Sequence, residues 1–403
     1  MEASVAETLE RAPDLDIDPY DDAFIADPYP GYAAMRSAGP VFYIPKYRCW
    51  GMARYKEVRP ALLDWKTYCS GMGVGYTHFG KEKPWRPPSL LLETDPPLHD
   101  RTRRIVDRVV FPPALQRLRE PFAKEAAVAV ERVVARGRFD GVKELAEAYP
   151  LKVFPDAVGL DADGRENLLP YGDMVFNGFG PLNARFKAST AAAGTVVPWV
   201  MAKCSRAALA PDGLGAQIYK AVETGEATEE EAALLVRSFL SAGLDTTVAA
   251  IGSALYLLAT NPGEWRKLRA DPSLAKNAFE ETLRMESPIQ NLFRTTTRQI
   301  ELGALSIPAS EKVLLLLASA NRDPEHWEEP DRFDITRRAQ GHVGFGVGFH
   351  VCIGQVIARM EGELLLTALA QRVTSIEPAG PPVRRFNNAV RGFASLPLEI
   401  RAA

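Results

Sequence analysis

Cysteine is scarce in this chain. Cys49, Cys69, Cys204 and Cys352 are the only four among 403 residues, and no two form a Cys-x-x-Cys pair. Their spacing gives no readable disulfide framework, zinc site or ferredoxin-type cluster, and it suits a reducing cytoplasm. Long apolar runs are missing too. The most apolar stretch, from Val248 to Ala259, is too short to span a bilayer and follows directly on the polar run Asp245, Thr246, Thr247, so a buried core helix is expected there. The acidic N-terminus, MEASVAETLERAPDLDIDPYDDAF, lacks an apolar stretch long enough for a signal peptide or anchor. A soluble, cytoplasmic protein is expected, with residues 1–15 a flexible extension. Charge bias is absent as well: 48 basic against 51 acidic residues leave a net charge of −3, which argues against nucleic acid or an anionic membrane as partner. We find no Gly-x-Gly-x-x-Gly motif, internal repeat or low-complexity linker.

What the chain does have is bulk. At 46% hydrophobic content it can bury a large core, and a single domain over residues 1–403 is expected. Residues 41–54 read as a hairpin around Pro45 and Lys46, and residues 301–317 as a second strand region. Residues 113–136, most of 142–285, and 353–373 carry helix-length apolar patterns. The fold class is therefore mainly α with a minor β part.

Chemistry concentrates in three places. Residues 345–354, FGVGFHVCIG, put Cys352 in a glycine-rich loop just before a helix. Gly346, Gly348 and Gly354 allow tight folding, and the helix N-terminus favours a charged sulfur, so Cys352 is expected to be anionic. Farther upstream, Thr228 and Glu231 form a capping-box start and Asn261, Pro262 and Gly263 a stop, which predicts one helix of about 33 residues and roughly 50 Å. Its middle, AGLDTT, combines Gly243 with threonine hydroxyls that can loosen the backbone ladder. Ser238, Ser241 or Ala242, and Asp245 share a stripe on it. Ser238 lies about 12 Å of helical rise before Thr246, the length of a single-ring aromatic acid. Arg237 fits either a carboxylate partner or a surface charge. In the proline-stiffened loop of residues 81–97, Arg86 and Ser89 form a pairing suited to a small carboxylate, unless the loop is merely surface.

Phe345, the three glycines, His350 and Cys352 at these offsets resemble the haem-binding signature of the cytochrome P450 superfamily, the haem-thiolate monooxygenases. The resemblance implies the family's fold and haem b (heme, with its iron) as cofactor, with Cys352 as axial ligand. It also implies that His350, His99, Arg103 and Arg294 contact the propionates. Asp245 and Thr246 resemble an acid–alcohol pair in which Asp245 relays protons and Thr246 hydrogen-bonds the oxygen being cleaved. Glu281 and Arg284 resemble the ExxR motif, with Arg332 as third member of a buried triad. Lack of an anchor points to a bacterial type. Electrons must then come from a separate iron-sulfur ferredoxin and its NAD(P)H-dependent reductase, and Arg337, Arg338 and Arg359 are expected to help form the docking face.

Across most of its length the chain is similar to bacterial haem-thiolate enzymes that demethylate para-methoxybenzoate. From that similarity Ser89 and Ser238, with Arg86 and Arg237, handle the carboxylate of a small aromatic carboxylic acid. Leu92, Phe176, Phe179, Ala242 and Ile289 line the ring, beside Ser241. Leu292 stands where those relatives are expected to carry phenylalanine, which widens the pocket and admits longer acids such as cinnamates. A non-catalytic haem sensor or carrier, and a cysteine hydrolase using Cys352 and His350, are the alternatives from other classes.

Overall fold

The computed structural model describes residues 12–403. Residues 1–11 of the expected extension lie outside the described residues. Residues 12–15 correct that expectation, because the Tyr43 N–H donates to Pro13 O (2.9 Å) and the Leu15 N–H to Tyr43 O (2.8 Å), and Ala12 is buried.

The chain is 51% helical and 13% strand. Six helices frame the site: α1 (Leu98–Val109), α2 (Leu168–Asn177), α3 (Glu229–Ala242), α4 (Asp245–Thr260), α5 (Ala275–Glu286) and α6 (Gln355–Arg372). The expected capping box starts α3. Thr228 Oγ1 accepts from the Glu231 N–H (3.1 Å), and Glu231 Oε2 accepts from the Thr228 N–H (3.0 Å). Three glutamates in that first turn complement the positive end of the helix dipole. Helix α4 is apolar nearly all round and is buried accordingly, packed against α5, α6 and the C-terminal strands. The run Glu229–Thr260 has the length and composition to cross a membrane, but 78% of its most apolar window is buried in protein, as befits a core helix.

The single helix expected over this run is two. Gly243 and Leu244 form a turn between α3 and α4, and because a Cβ on Gly243 would sit 2.2 Å from Phe154 Cζ, glycine lets that ring pack against the turn. Two hydroxyls then turn back on the carbonyls at the break, Thr246 Oγ1 donating to Ala242 O (2.9 Å) and Thr247 Oγ1 to Gly243 O (3.3 Å).

The β part supports the other side of the cavity. The expected hairpin is present as β1 (Phe42–Ile44) and β2 (Cys49–Met52). With β3 (Tyr68–Cys69), β4 (Leu292–Thr296) and β5 (Lys312–Leu315) it forms a five-stranded sheet in the order β1-β2-β5-β4-β3, antiparallel except for the β2–β5 pair. Three small sheets complete the fold, one pairing Arg138–Asp140 with the C-terminal strands Pro397–Ala402 and Val373–Pro378.

Behind the cysteine loop lies a buried ion cluster. Arg284 and Glu281, both fully buried, make a bidentate pair (2.8 and 2.9 Å), and Arg284 Nη1 donates to Asn321 O (2.8 Å). The third member differs from expectation. Arg337 Nε donates to Glu281 Oε1 (3.0 Å), whereas Arg332 is solvent-exposed and pairs with Glu329. The turn that begins at Pro330 points Arg332 outward and returns five residues later to bring Arg337 in. A buried pair of this kind is strongly destabilised by loss of one partner, which fixes how this segment packs.

Candidate active site

The cysteine loop is held from within. The Cys352 N–H donates to Phe345 O (2.8 Å), Gly346 N–H to Val343 O (2.9 Å) and Val351 N–H to Gly348 O (3.1 Å). Gly346 and Gly348 have φ of 66° and 71°, the left-handed region that favours glycine, as expected. Gly354 does not, with φ at −82°; it caps α6 instead. Cys352 is half-buried on the wall of a large, mostly apolar cavity. Burial pushes its thiol up, against the pull of the Gly354 N–H. A cation bound at the sulfur would favour the thiolate expected from the sequence.

On the same wall sit His350, Arg103 and Arg294. His99, on α1, packs behind with its ring tilted and its centroid 4.5 Å from that of His350. The Nε2 atoms of both histidines are buried without a hydrogen bond among the described residues, although an Asp95 oxygen lies 3.9 Å from that of His350. Arg294 is buried and donates only to Phe293 O (3.0 Å), and burial pulls its pKa down to about 10. Arg103 Nη1 donates to Val351 O (2.7 Å), tying α1 to the loop. Unsatisfied buried donors beside a cysteine loop are costly unless a group with acceptor oxygens fills them. Two carboxylates of a flat cofactor meet that need, so the residues present fit haem.

Of the arginines expected at a docking face, only Arg338 is exposed. Arg337 serves the Glu281 cluster. Arg359 lies over the Phe345 ring, 4.5 Å from its centroid, and pairs with Glu280. Burial opposes the charge on Glu280, but hydrogen bonds from His342 and Arg359 hold it down to about 2. Both arginines are thus engaged by carboxylates of this chain while partly exposed.

At the far end of the cavity the loop of residues 81–97 meets α3. Every residue expected to bind substrate lines this cavity: Arg86, Ser89 and Leu92 from the loop, Phe176 and Phe179 in and after α2, Arg237, Ser238, Ser241 and Ala242 from α3, and Ile289 and Leu292 at the start of the sheet. Ser89 Oγ and Ser238 Oγ lie 3.3 Å apart. Ser238 Oγ donates to Leu234 O (3.0 Å), so Ser89 supplies the proton between them. Arg237 is not a surface charge. It is 3% exposed, and its partners are the carbonyls of Pro87 (2.9 Å) and Pro88 (3.2 Å); no described carboxylate lies within ion-pair reach. Burial holds its pKa below the usual arginine value. Arg86 is already paired, making a bidentate contact with Glu93 (2.8 and 3.1 Å). The Phe176 and Phe179 rings meet edge to face at 5.5 Å, forming an apolar wall beside these charges.

Between the two ends, Thr246 and Thr247 line the cavity at the helix break. Asp245 points the other way. It is fully buried and holds Arg385 in a bidentate pair (2.6 and 2.8 Å). Burial opposes the Arg385 charge, yet Asp245 beside it outweighs that and raises its pKa. Asp173 on α2 stands close by, its carboxyl raised by burial against the pull of Arg385.

Sequence reasoning missed Glu93 and Arg385. Glu93, four residues after Ser89, was legible as a nearby acid; Arg385, 140 residues from its partner, left no local signal. Tyr171, which lines the acid end, was also missed.

Comparison with known proteins identifies the family. The family profile described as Cytochrome P450 matches residues 210–401. Over 392 residues the chain is 54% identical to a protein named cytochrome p450 CYP199A2 from Rhodopseudomonas palustris, covering 97% of this chain and 95% of that one. It is 34% identical over 410 residues to cytochrome P450 107B1 of Saccharopolyspora erythraea, covering 97% and 99%. Among solved structures, cytochrome P450 CYP109Q5 from Chondromyces apiculatus superposes with a TM-score of 0.81 at 29% identity, over 97% of this chain and 99% of that one. Relatives named as hydroxylases set aside the sensor and hydrolase alternatives. This chain belongs to the cytochrome P450 family and is an oxidoreductase of the bacterial haem-thiolate type, built around a haem iron.

Proposed function

We propose that this enzyme oxidises the para substituent of a benzoate-type aromatic acid, by O-demethylation or hydroxylation. The observation that carries the reading is Arg237, a buried cation on the cavity wall with only carbonyl partners. A buried charge without a counter-ion is costly, and a substrate carboxylate would supply one. Ser89 beside it can turn its O–H from Ser238 to the same carboxylate, with Ser238 following if it leaves Leu234 O, and Phe176 and Phe179 would face the ring. Leu292 is shorter than an aromatic residue, so para-substituted cinnamates are expected as second substrates. Adding 4-methoxybenzoate to the purified enzyme should change the haem spin state, and its methyl ester should not. Equal responses would remove the carboxylate from the argument.

In this reading Cys352 Sγ holds the haem iron, and His99, His350, Arg103 and Arg294 hold the propionates. Bound haem supplies the activation of O2 with two electrons from outside the chain. Those electrons come from electron-transfer proteins, which we assign to an iron-sulfur ferredoxin and its NAD(P)H-dependent reductase. The chain's own part is to aim the para substituent, exclude water and deliver protons. Thr246 Oγ1 can release its bond to Ala242 O and donate into the cavity. Asp245 would pass a proton only after freeing an oxygen from Arg385, which holds both. Thr246→Ala should leave NAD(P)H consumption largely intact but lower the product formed per NAD(P)H severalfold, read by assaying both in one reaction; unaltered coupling would count against the pair's role.

A further inference from the structure

The acid end of the cavity carries more than a docking point for a carboxylate; its charges are counted. Arg86 and Arg237 both face it, yet they are in different states. Arg237 has no ion pair among the described residues. Arg86 is neutralised by Glu93, whose side chain is 3% exposed and accepts three donors: both Arg86 nitrogens and the Ser89 N–H (2.7 Å). Three donors on a buried carboxylate make a pair that a ligand does not easily displace. Arg86 Nε is buried and unpartnered, so this residue can still give one hydrogen bond without releasing Glu93.

We propose that Glu93 is a specificity-determining residue that limits the pocket to one negative charge, so that the enzyme takes monoanionic aromatic acids and rejects dianionic ones of the same shape. The inference rests on the acid-binding reading above and adds a rule to it. Two guanidinium groups and one carboxylate leave a single positive charge. One substrate carboxylate neutralises it, and a second negative charge on the ligand would be buried without a partner. Specificity then comes from a penalty on the wrong ligand as much as from contacts to the right one. Without Glu93 the pocket would hold two free guanidinium groups and would favour a dianion.

Two esters of equal shape and different charge test this: 4-methoxyphenyl sulfate, a monoanion throughout, and 4-methoxyphenyl phosphate, which gains its second charge above a pH of about 6. Each is measured by its displacement of 4-methoxybenzoate from the haem-loaded enzyme. In the wild type, raising the pH through that ionisation should weaken the phosphate at least about tenfold relative to the sulfate. Glu93→Gln should shift the phosphate-to-sulfate preference by at least about tenfold toward the phosphate. The double variant R86Q/E93Q, with one guanidinium left, should return to the wild-type order. A phosphate affinity that tracks the sulfate across the pH series would overturn the charge rule, as would an E93Q enzyme with unaltered preference. A sulfate that never displaces benzoate would overturn it too, since the pocket would then select by shape. Should E93Q fail to take up haem, the wild-type pH series decides alone. A wild type that does not respond to 4-methoxybenzoate at all would sink the acid reading itself, and this inference with it.

Discussion

Cys352→His is expected to bind haem and lose monooxygenase turnover. The loop hydrogen bonds that shape residues 345–352 are main-chain bonds, so they survive a side-chain change, and the buried cationic groups around the propionate sites are untouched. What changes is the donor: a thiolate pushes electron density to the iron and favours O–O cleavage, whereas imidazole suits oxygen carriage. Loss of mere outer partners of a metal ligand typically costs about 10–100-fold, so replacing the ligand should exceed about 100-fold in turnover. The carbonyl adduct of the reduced variant should absorb like that of a histidine-ligated globin. A variant with the spectrum and turnover of the wild type would show that another residue carries the iron.

Arg237→Met should have the second largest effect, and a selective one. The methionine keeps much of the aliphatic stem and removes the only unpaired cation at the acid end. Truncating one partner of a buried charge pair costs about 2–5 kcal/mol, which converts to a loss in aromatic-acid affinity of about 30-fold to about 3,000-fold. Methyl esters of the same acids should bind the variant as well as or better than the wild type. Folding stability should hold or rise, because the free enzyme no longer buries a guanidinium among carbonyls. Spin-state titrations and a thermal melt of the ligand-free protein measure both. Equal weakening of acid and ester would mean that Arg237 only props the loop through Pro87 and Pro88.

How much of this could be read in the sequence depended on how local each signal was. The cysteine loop is contiguous, and its glycines, His350 and Cys352 name the cofactor within ten residues. The grouping at the end of the cavity that we assign to a carboxylate was legible because Arg86 and Ser89 share one loop and Arg237 and Ser238 one helix. Burial was not legible. It decides that Arg237 is interior, that the Cys352 thiol is pushed up, and that Arg359 lies over Phe345. Long-range pairing was also hidden. Arg332 and Arg337 stand five residues apart and carry the same charge, and only the path of the turn between them selects Arg337 for Glu281. The break at Gly243 has Phe154, a ring from a distant helix, packed against it, and a pattern with good caps at both ends read as one unbroken rod.

The Asp245–Arg385 pair has a consequence for how the molecule is made. Its two halves are 140 residues apart, so at a synthesis rate of about 5–20 residues per second the carboxylate leaves the ribosome about 7 to 28 seconds before its guanidinium exists. Until then, seating α4 in the interior would strand a lone anion in a dry environment. This part of the core therefore completes only once the C-terminal strands have been made.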